Sequence, residues 1–279
     1  MNNILLEAEA LIQAGGVAAS SLSEMEDRIS LELEVVGAER DTQYADQLWR
    51  LKTALGVKHG YMQAFAQLKA GDHYNAWCIL ERCEIDLSLL VENSDSAFHK
   101  VARTAVFDEY IKNWQSLYPY KIFFSPGFLV GFYTCSICGE KIRPSKSCGH
   151  RKKRLYGGKI CFHIGHDLEP LEVSIVTRPV QKYSIPLVDY DYSLLNYVIE
   201  RLDHAFEPWK PVFSRMAYPR NRFNSVSETD PCPCKTGSKS FGECCSGKEE
   251  VEIPHVDFHF MKKLPEDKQH WSFPYEQRG

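Results

Sequence analysis

Pro231-Cys232-Pro233-Cys234-Lys235-Thr236-Gly237-Ser238-Lys239-Ser240-Phe241-Gly242-Glu243-Cys244-Cys245 brings four thiols into one short stretch near the C-terminus. Four thiolates complete a tetrahedral shell around Zn²⁺ at a bond length of ~2.3 Å. A Cys-x-Cys pair reaches a single ion only where the backbone turns sharply, and Pro233 fixes part of that turn. Gly237 and Gly242 are expected to let the returning loop pass close to the ion, and Phe241 to cover it. The competing reading is a redox-active cysteine cluster without metal.

Upstream lies a second group. Cys135-Ser136-Ile137-Cys138-Gly139 is a Cys-x-x-Cys-Gly knuckle, followed by Cys148-Gly149-His150. Cys135, Cys138, Cys148 and His150 together make a Cys₃His set, a standard structural zinc shell. Cys161, His163 and His166 are spare donors that would replace one of the four or contact them from outside. A thioredoxin-like pair fits poorly, because no helix is expected to start at Cys135. A catalytic zinc would need an open position and a nearby base, and only Glu140 is close in sequence. The expectation is about two zinc ions per chain.

The segment from Pro231 to Cys245 resembles the SEC-C metal-binding motif, named for the zinc-binding C-terminus of the SecA translocation motor. Pro231 to Cys234, Gly237, Phe241 and Cys244-Cys245 match in order. The loop between Cys234 and Cys244 is one residue longer than the family pattern, which bears on loop geometry and not on the ligands. The resemblance covers residues 230–247 only. It implies a small accessory module that contacts protein partners, chaperones or ribosomes, and it implies no reaction. Residues 135–176, ending in Val173-Ser174-Ile175-Val176, are similar to a Cys-x-x-Cys-Gly, Cys-x-His, Tyr-x-Gly-x-x-Cys arrangement of phage-related and mobile-element proteins, from which no activity is carried over.

Outside the cysteine clusters the pattern predicts an α+β protein. Leu22, Met25, Ile29, Leu33 and Val36 step by three and four, as do Tyr44, Leu48, Leu51 and Leu55, so residues 1–118 read as a helical bundle or helical hairpins. Gly71-Asp72 and Asn93-Ser94-Asp95-Ser96 supply punctuation and caps. One helix is expected to carry Phe98, Val101, Ala105, Tyr110 and Trp114. A small β-rich zinc module is expected over 119–190. There, residues 121–124 and 128–133 read as a hairpin around Pro126-Gly127, residues 155–162 as a second hairpin turning at Gly157-Gly158, and residues 171–176 as a strand. Residues 191–229 read as a helix over 192–206 followed by an irregular linker marked by Pro208, Pro211 and Pro219. The zinc knuckle and tail, with a short strand at 256–260, occupy 230–279.

Charge is unevenly spread along a chain whose net charge is −4. Residues 1–116 hold 10 Lys+Arg against 18 Asp+Glu, whereas residues 135–160 hold 8 basic residues against one acid. The run Arg151, Lys152, Lys153 and Arg154 is therefore a candidate nucleic-acid contact through phosphate, with Arg215, Arg220 and Arg222 as an extension. The plainer reading is a basic loop that balances the acidic helices by docking on them. No membrane span and no secretory signal are read in the sequence, and clustered cysteines suit a reducing compartment, so a cytoplasmic setting without membrane contact is expected. Walker, Rossmann, Gly-x-Ser-x-Gly and His-Glu-x-x-His signatures are lacking. The leading expectation is a zinc-binding adaptor of bacterial or phage-related origin that contacts a protein partner. The alternatives are a nucleic-acid-binding component of a defence or mobile-element system and a zinc-dependent enzyme.

Overall fold

Apolar residues repeating every three to four positions build the first part of the computed structural model, which describes residues 2–39, 41–143, 145–146, 148–265 and 268–269. Six helices come first: α1 (Asn2–Gln13), α2 (Ala19–Glu39), α3 (Thr42–Lys69), α4 (His73–Glu92), α5 (Ser96–Val101) and α6 (Thr104–Leu117). Asp41, Asp72 and Asp95 each accept a backbone N–H at the start of α3, α4 and α5, which satisfies an otherwise orphaned donor. Leu22, Met25, Ile29 and Val36 of α2 share a core with Leu48, Leu51 and Leu55 of α3 and with Ala8 and Ile12 of α1.

A lysine is buried in this layer. Lys58 of α3 is 1% exposed. Its Nζ donates to the carbonyls of Leu11, Ile12 and Ala14 at 2.7, 3.2 and 2.6 Å. These are the unpaired carbonyls at the C-terminal end of α1, where a cation is favoured. The lysine thereby fastens α1 to α3. The helix expected over Phe98–Trp114 is instead two, because Arg103 adopts a left-handed conformation (φ 52°) between α5 and α6.

The β-rich part differs from expectation in an instructive way. Residues 121–133 do not fold back at Pro126-Gly127. They form one long strand, β1 (Phe123–Cys135), with a register shift between Gly127 and Phe128. Pro126-Gly127 thus marks a β-bulge, which bends a strand without ending it. β2 (Lys141–Ile142) returns along the end of β1. β3 (Leu155–Tyr156) and β4 (Lys159–Ile160) form the expected small hairpin, with Gly157 and Gly158 both at positive φ as a two-residue turn of this kind requires. β5 (His163–Val176) includes the expected strand at 171–176 but begins eight residues earlier, and it pairs antiparallel with β1 over nearly its whole length. α7 (Ser193–Ile199) is shorter than the helix expected over 192–206, although Leu195, Val198 and Leu202 are buried as that spacing required.

Residues 208–219 are not an irregular linker. Trp209–Pro219 is strand β6, paired in register with β7 (Glu250–Phe260). A two-stranded ribbon has two outer edges, so prolines whose missing N–H faces outward remove no ladder bond. Between these strands come a short 3₁₀ turn and α8 (Phe241–Cys244). The chain divides into two compact units, Met1–Phe206 and Glu207–Gly279. Among the described residues no helix is long and apolar enough to cross a membrane.

Replacing Lys58 by Met is expected to lower unfolding free energy by about 1.5–3 kcal/mol, the loss expected for hydrogen bonds from a charged group to buried carbonyls. Thermal or urea denaturation measures it. Lys112→Ala, which removes an exposed pair with Asp108 at 2.6 Å, is expected to cost no more than about 0.5 kcal/mol.

Candidate metal centres

The first centre is assembled where β1 runs out. Cys135 closes a tight turn in which Gly139 N–H donates to the Cys135 carbonyl at 2.8 Å and Cys135 N–H donates to the Glu140 carbonyl at 2.9 Å. Gly139 sits at φ 74°, a conformation that side chains disfavour. Burial pushes the Cys135 thiol up, but the backbone amides of Cys138 and Ile137 point at its sulfur and bring it down to about 6. Gly149, also at positive φ, swings the chain between Cys148 and His150. The His150 ring meets Tyr156 of β3 edge-on at 4.8 Å, and the Tyr156 hydroxyl accepts the Arg151 N–H at 2.9 Å.

Cys135, Cys138, Cys148 and His150 place one donor atom each within 4.8 Å of all the others. His150 Nδ1 is buried with no hydrogen-bond partner. An imidazole with an unpartnered nitrogen, grouped with three thiols, is a donor set that fits an ion. Cys161, at the end of the β3–β4 hairpin, is 0% exposed, with its Sγ 3.7 Å from that of Cys135. Burial and the adjacent Cys135 sulfur push its thiol up to about 11. It therefore touches the cluster directly, more closely than a spare donor. The other two spare donors stand apart. His166 Nε2 is hydrogen-bonded to Thr134 Oγ1 at 2.8 Å and stacks on Phe132, while His163 lies across from Cys135 in the β1–β5 register.

Two members of the basic run beside this centre contact the end of α4 at the surface. Arg154 donates to the Glu92 carbonyl at 2.5 Å, at the C-terminal end of α4, and Lys153 Nζ lies 3.9 Å from the Glu92 carboxylate. Asn93 joins both backbones, donating from Nδ2 to the Lys153 carbonyl and accepting from Leu155 N–H, each at 2.9 Å. Gly158 N–H donates to Asp46 of α3 at 2.7 Å. A side chain at Gly158 would meet Leu33 at 3.0 Å and the Ala45 carbonyl at 3.2 Å, so only glycine allows the approach. The hairpin leading into Cys161 is thus docked on the acidic helices. All four residues of the run, Arg151 to Arg154, are exposed. The sequence marked Asn93 only as a cap residue, and nothing in its spacing pointed to Asp46.

The second centre belongs to the C-terminal unit. Backbone bonds from Cys232 N–H to the Lys239 carbonyl (3.1 Å) and from Phe241 N–H to the Asp230 carbonyl (2.8 Å) close the loop. Ser240 and Glu243 form a reciprocal capping box that starts α8 and delivers Cys244 and Cys245. The sulfurs of Cys232, Cys234, Cys244 and Cys245 all lie within 4.8 Å of one another, with 3.6 Å between Cys234 and Cys244 and 3.7 Å between Cys244 and Cys245. These are far longer than a disulfide bond. Burial pushes Cys234 up, yet the Thr236 hydroxyl (2.9 Å) and amide and the neighbouring thiols bring it down to about 6. Burial and those same neighbours push Cys232 up to about 12.

Phe241 covers this centre as expected, fully buried against Phe223. The two glycines serve other ends than a close pass by the ion. Gly242 is needed because a side chain would meet the Glu228 backbone at 3.1 Å, whereas Gly237 has open space. Arg215 and Arg220 serve the knuckle itself. Arg215 Nη2 donates to the carbonyls of Cys234 and Glu252 at 2.8 Å each, and Arg220 donates to Ser246 at 3.0 Å with its guanidinium 4.6 Å from the Phe241 ring. The Arg222 guanidinium lies 5.7 Å from the Tyr218 ring.

Comparison of the chain with family models, with curated proteins and with solved structures finds no match.

Asn93→Ala is expected to leave the Leu155 amide without its acceptor, at a cost of about 1–3 kcal/mol to hairpin docking. Hydrogen exchange would read this as faster exchange at Leu155 and Gly158, with the α1–α3 core amides unchanged.

Proposed function

We propose that both centres hold zinc in a closed, structural shell, and that the protein is a zinc-stapled adaptor whose C-terminal unit is a SEC-C-like knuckle. The observation that carries this reading is the sulfur spacing. A tetrahedral ZnS₄ shell with ~2.3 Å bonds has sulfur–sulfur edges of ~3.8 Å. The 3.6 and 3.7 Å separations around Cys244 are close to that edge, and at the first centre the donors of Cys135, Cys138, Cys148 and His150 all lie within 4.8 Å of one another. A divalent cation stabilises thiolates that would otherwise repel one another or be buried without partners.

Each cluster offers at least four protein donors, which fills a tetrahedral shell and leaves no position for substrate. This supports a structural role over a catalytic one. The contact of Arg154 with the Glu92 carbonyl gives one member of the basic run an intramolecular task, while the run as a whole stays exposed. The zinc would cross-brace the chain segments around each centre, and so hold surfaces in shape for protein partners.

Elemental analysis of the purified, reduced chain is the test, with about two zinc ions per chain expected. Cys232→Ser and Cys138→Ser are each expected to remove one of the two. A metal-free protein that keeps its fold would overturn the proposal. Acidity gives a second check. A thiol held at about 6 is already thiolate at neutral pH and gains its proton as pH falls through that value. Zinc content is therefore expected to fall as the pH drops through about 6 and below.

A further inference from the structure

Outside the metal centres, the feature that stands without a partner is the long β1–β5 ribbon. Residues directly opposite one another in an antiparallel pair share a face. The register puts Phe124 with Ile175, Pro126 with Val173 and, past the bulge, Val130 with Leu168 on one face. The other face carries the acids, with Gly127 opposite Glu172, Leu129 opposite Glu169 and Gly131 close against the Asp167 side chain. The first face has no Asp, Glu, Lys or Arg on either strand, and only at its far end does Lys141 of β2 lie over the Phe132 ring at 3.9 Å.

This apolar face is open to solvent. Leu168, Val173 and Ile175 are 53%, 66% and 68% exposed, and Phe128 is 48% exposed. With Phe124 and Ile164 it leaves on the order of 600 Å² of apolar surface uncovered, at the top of the range for the largest patch on a monomer. An isolated two-stranded ribbon is also marginal in water without a covered apolar face.

We infer that this face packs against the same face of a second copy of the chain, giving a two-fold dimer in which two ribbons stack as a small sandwich. Three observations select this occupant. The face is uncharged, and homodimer interfaces are the more apolar class with charge depleted from their centre. An uncharged face meets its own copy without like-charge repulsion, as a self-complementary two-fold contact requires. Its open area approaches the ~800 Å² per partner of a standard specific interface. Pairing through the strand edges is disfavoured, because Pro126, Pro170 and the bulge blunt them. The dimer does not depend on the zinc proposal.

Light scattering or sedimentation equilibrium of the full-length, metal-replete protein under reducing conditions tests it. The expected mass is twice the 32.0 kDa of one chain. Leu168→Glu combined with Val173→Glu sets like charges against one another across the two-fold and is expected to halve the mass while circular dichroism and zinc content stay unchanged. If that pair disturbs folding, the neutral changes Leu168→Gln and Ile175→Gln carry the same expectation of a dimer that dissociates at higher protein concentration than the parent. A parent protein that is monomeric throughout the micromolar range, or folded variants that dimerise as tightly as the parent, would overturn the inference.

Discussion

Sulfur crowding is the constraint on which the structure turns. In each unit, thiols are held nearly in contact, 3.6–3.7 Å apart where the closest pairs are concerned. As thiolates they repel, and as buried thiols they are weak hydrogen-bonding groups with little to hold them together. A cation at the centre reverses both terms. Around this point the local backbone is arranged with care: glycines at positive φ at residues 139 and 149, amides aimed at Cys135, and a capping box that presents Cys244 and Cys245. Such preparation suits ligands whose orientation matters, and it supports metal binding over incidental clustering.

The two centres are supported by different means. The C-terminal one has its own small core of Phe223, Phe241, Val251 and Ile253, laced by Arg215 and Arg220. The first has few apolar neighbours. Its rigidity is borrowed from the helices through Asn93, Asp46 and Glu92, which fix the hairpin that delivers Cys161. In that arrangement Arg154, from the positive run beside the cysteines, meets the carbonyl end of α4.

Much of this was legible in the sequence. Metal-ligand spacing is local and chemically specific, so both cysteine sets could be read directly. Helical stripes such as Leu22, Met25 and Ile29 follow from periodicity, and Gly157-Gly158 from turn stereochemistry. What escaped depended on distant partners. Pro126-Gly127 has the composition of a turn, and only the presence of β5 alongside makes it a bulge. Pro211 and Pro219 look like breakers until a lone ribbon offers them free edges. The left-handed Arg103 carries no signal, because glycine or asparagine would be the usual choice there. The closeness of Cys161 to Cys135 arises from the docking of a hairpin, which no spacing rule encodes.

Zinc K-edge X-ray absorption on the purified, reduced chain addresses the central claim most directly. A sulfur-dominated first shell near ~2.3 Å, with a minor nitrogen contribution from His150, is the outcome this structure predicts. A shell of oxygen and nitrogen near ~2.0 Å would contradict it, since the thiols would then be neighbours for some other reason.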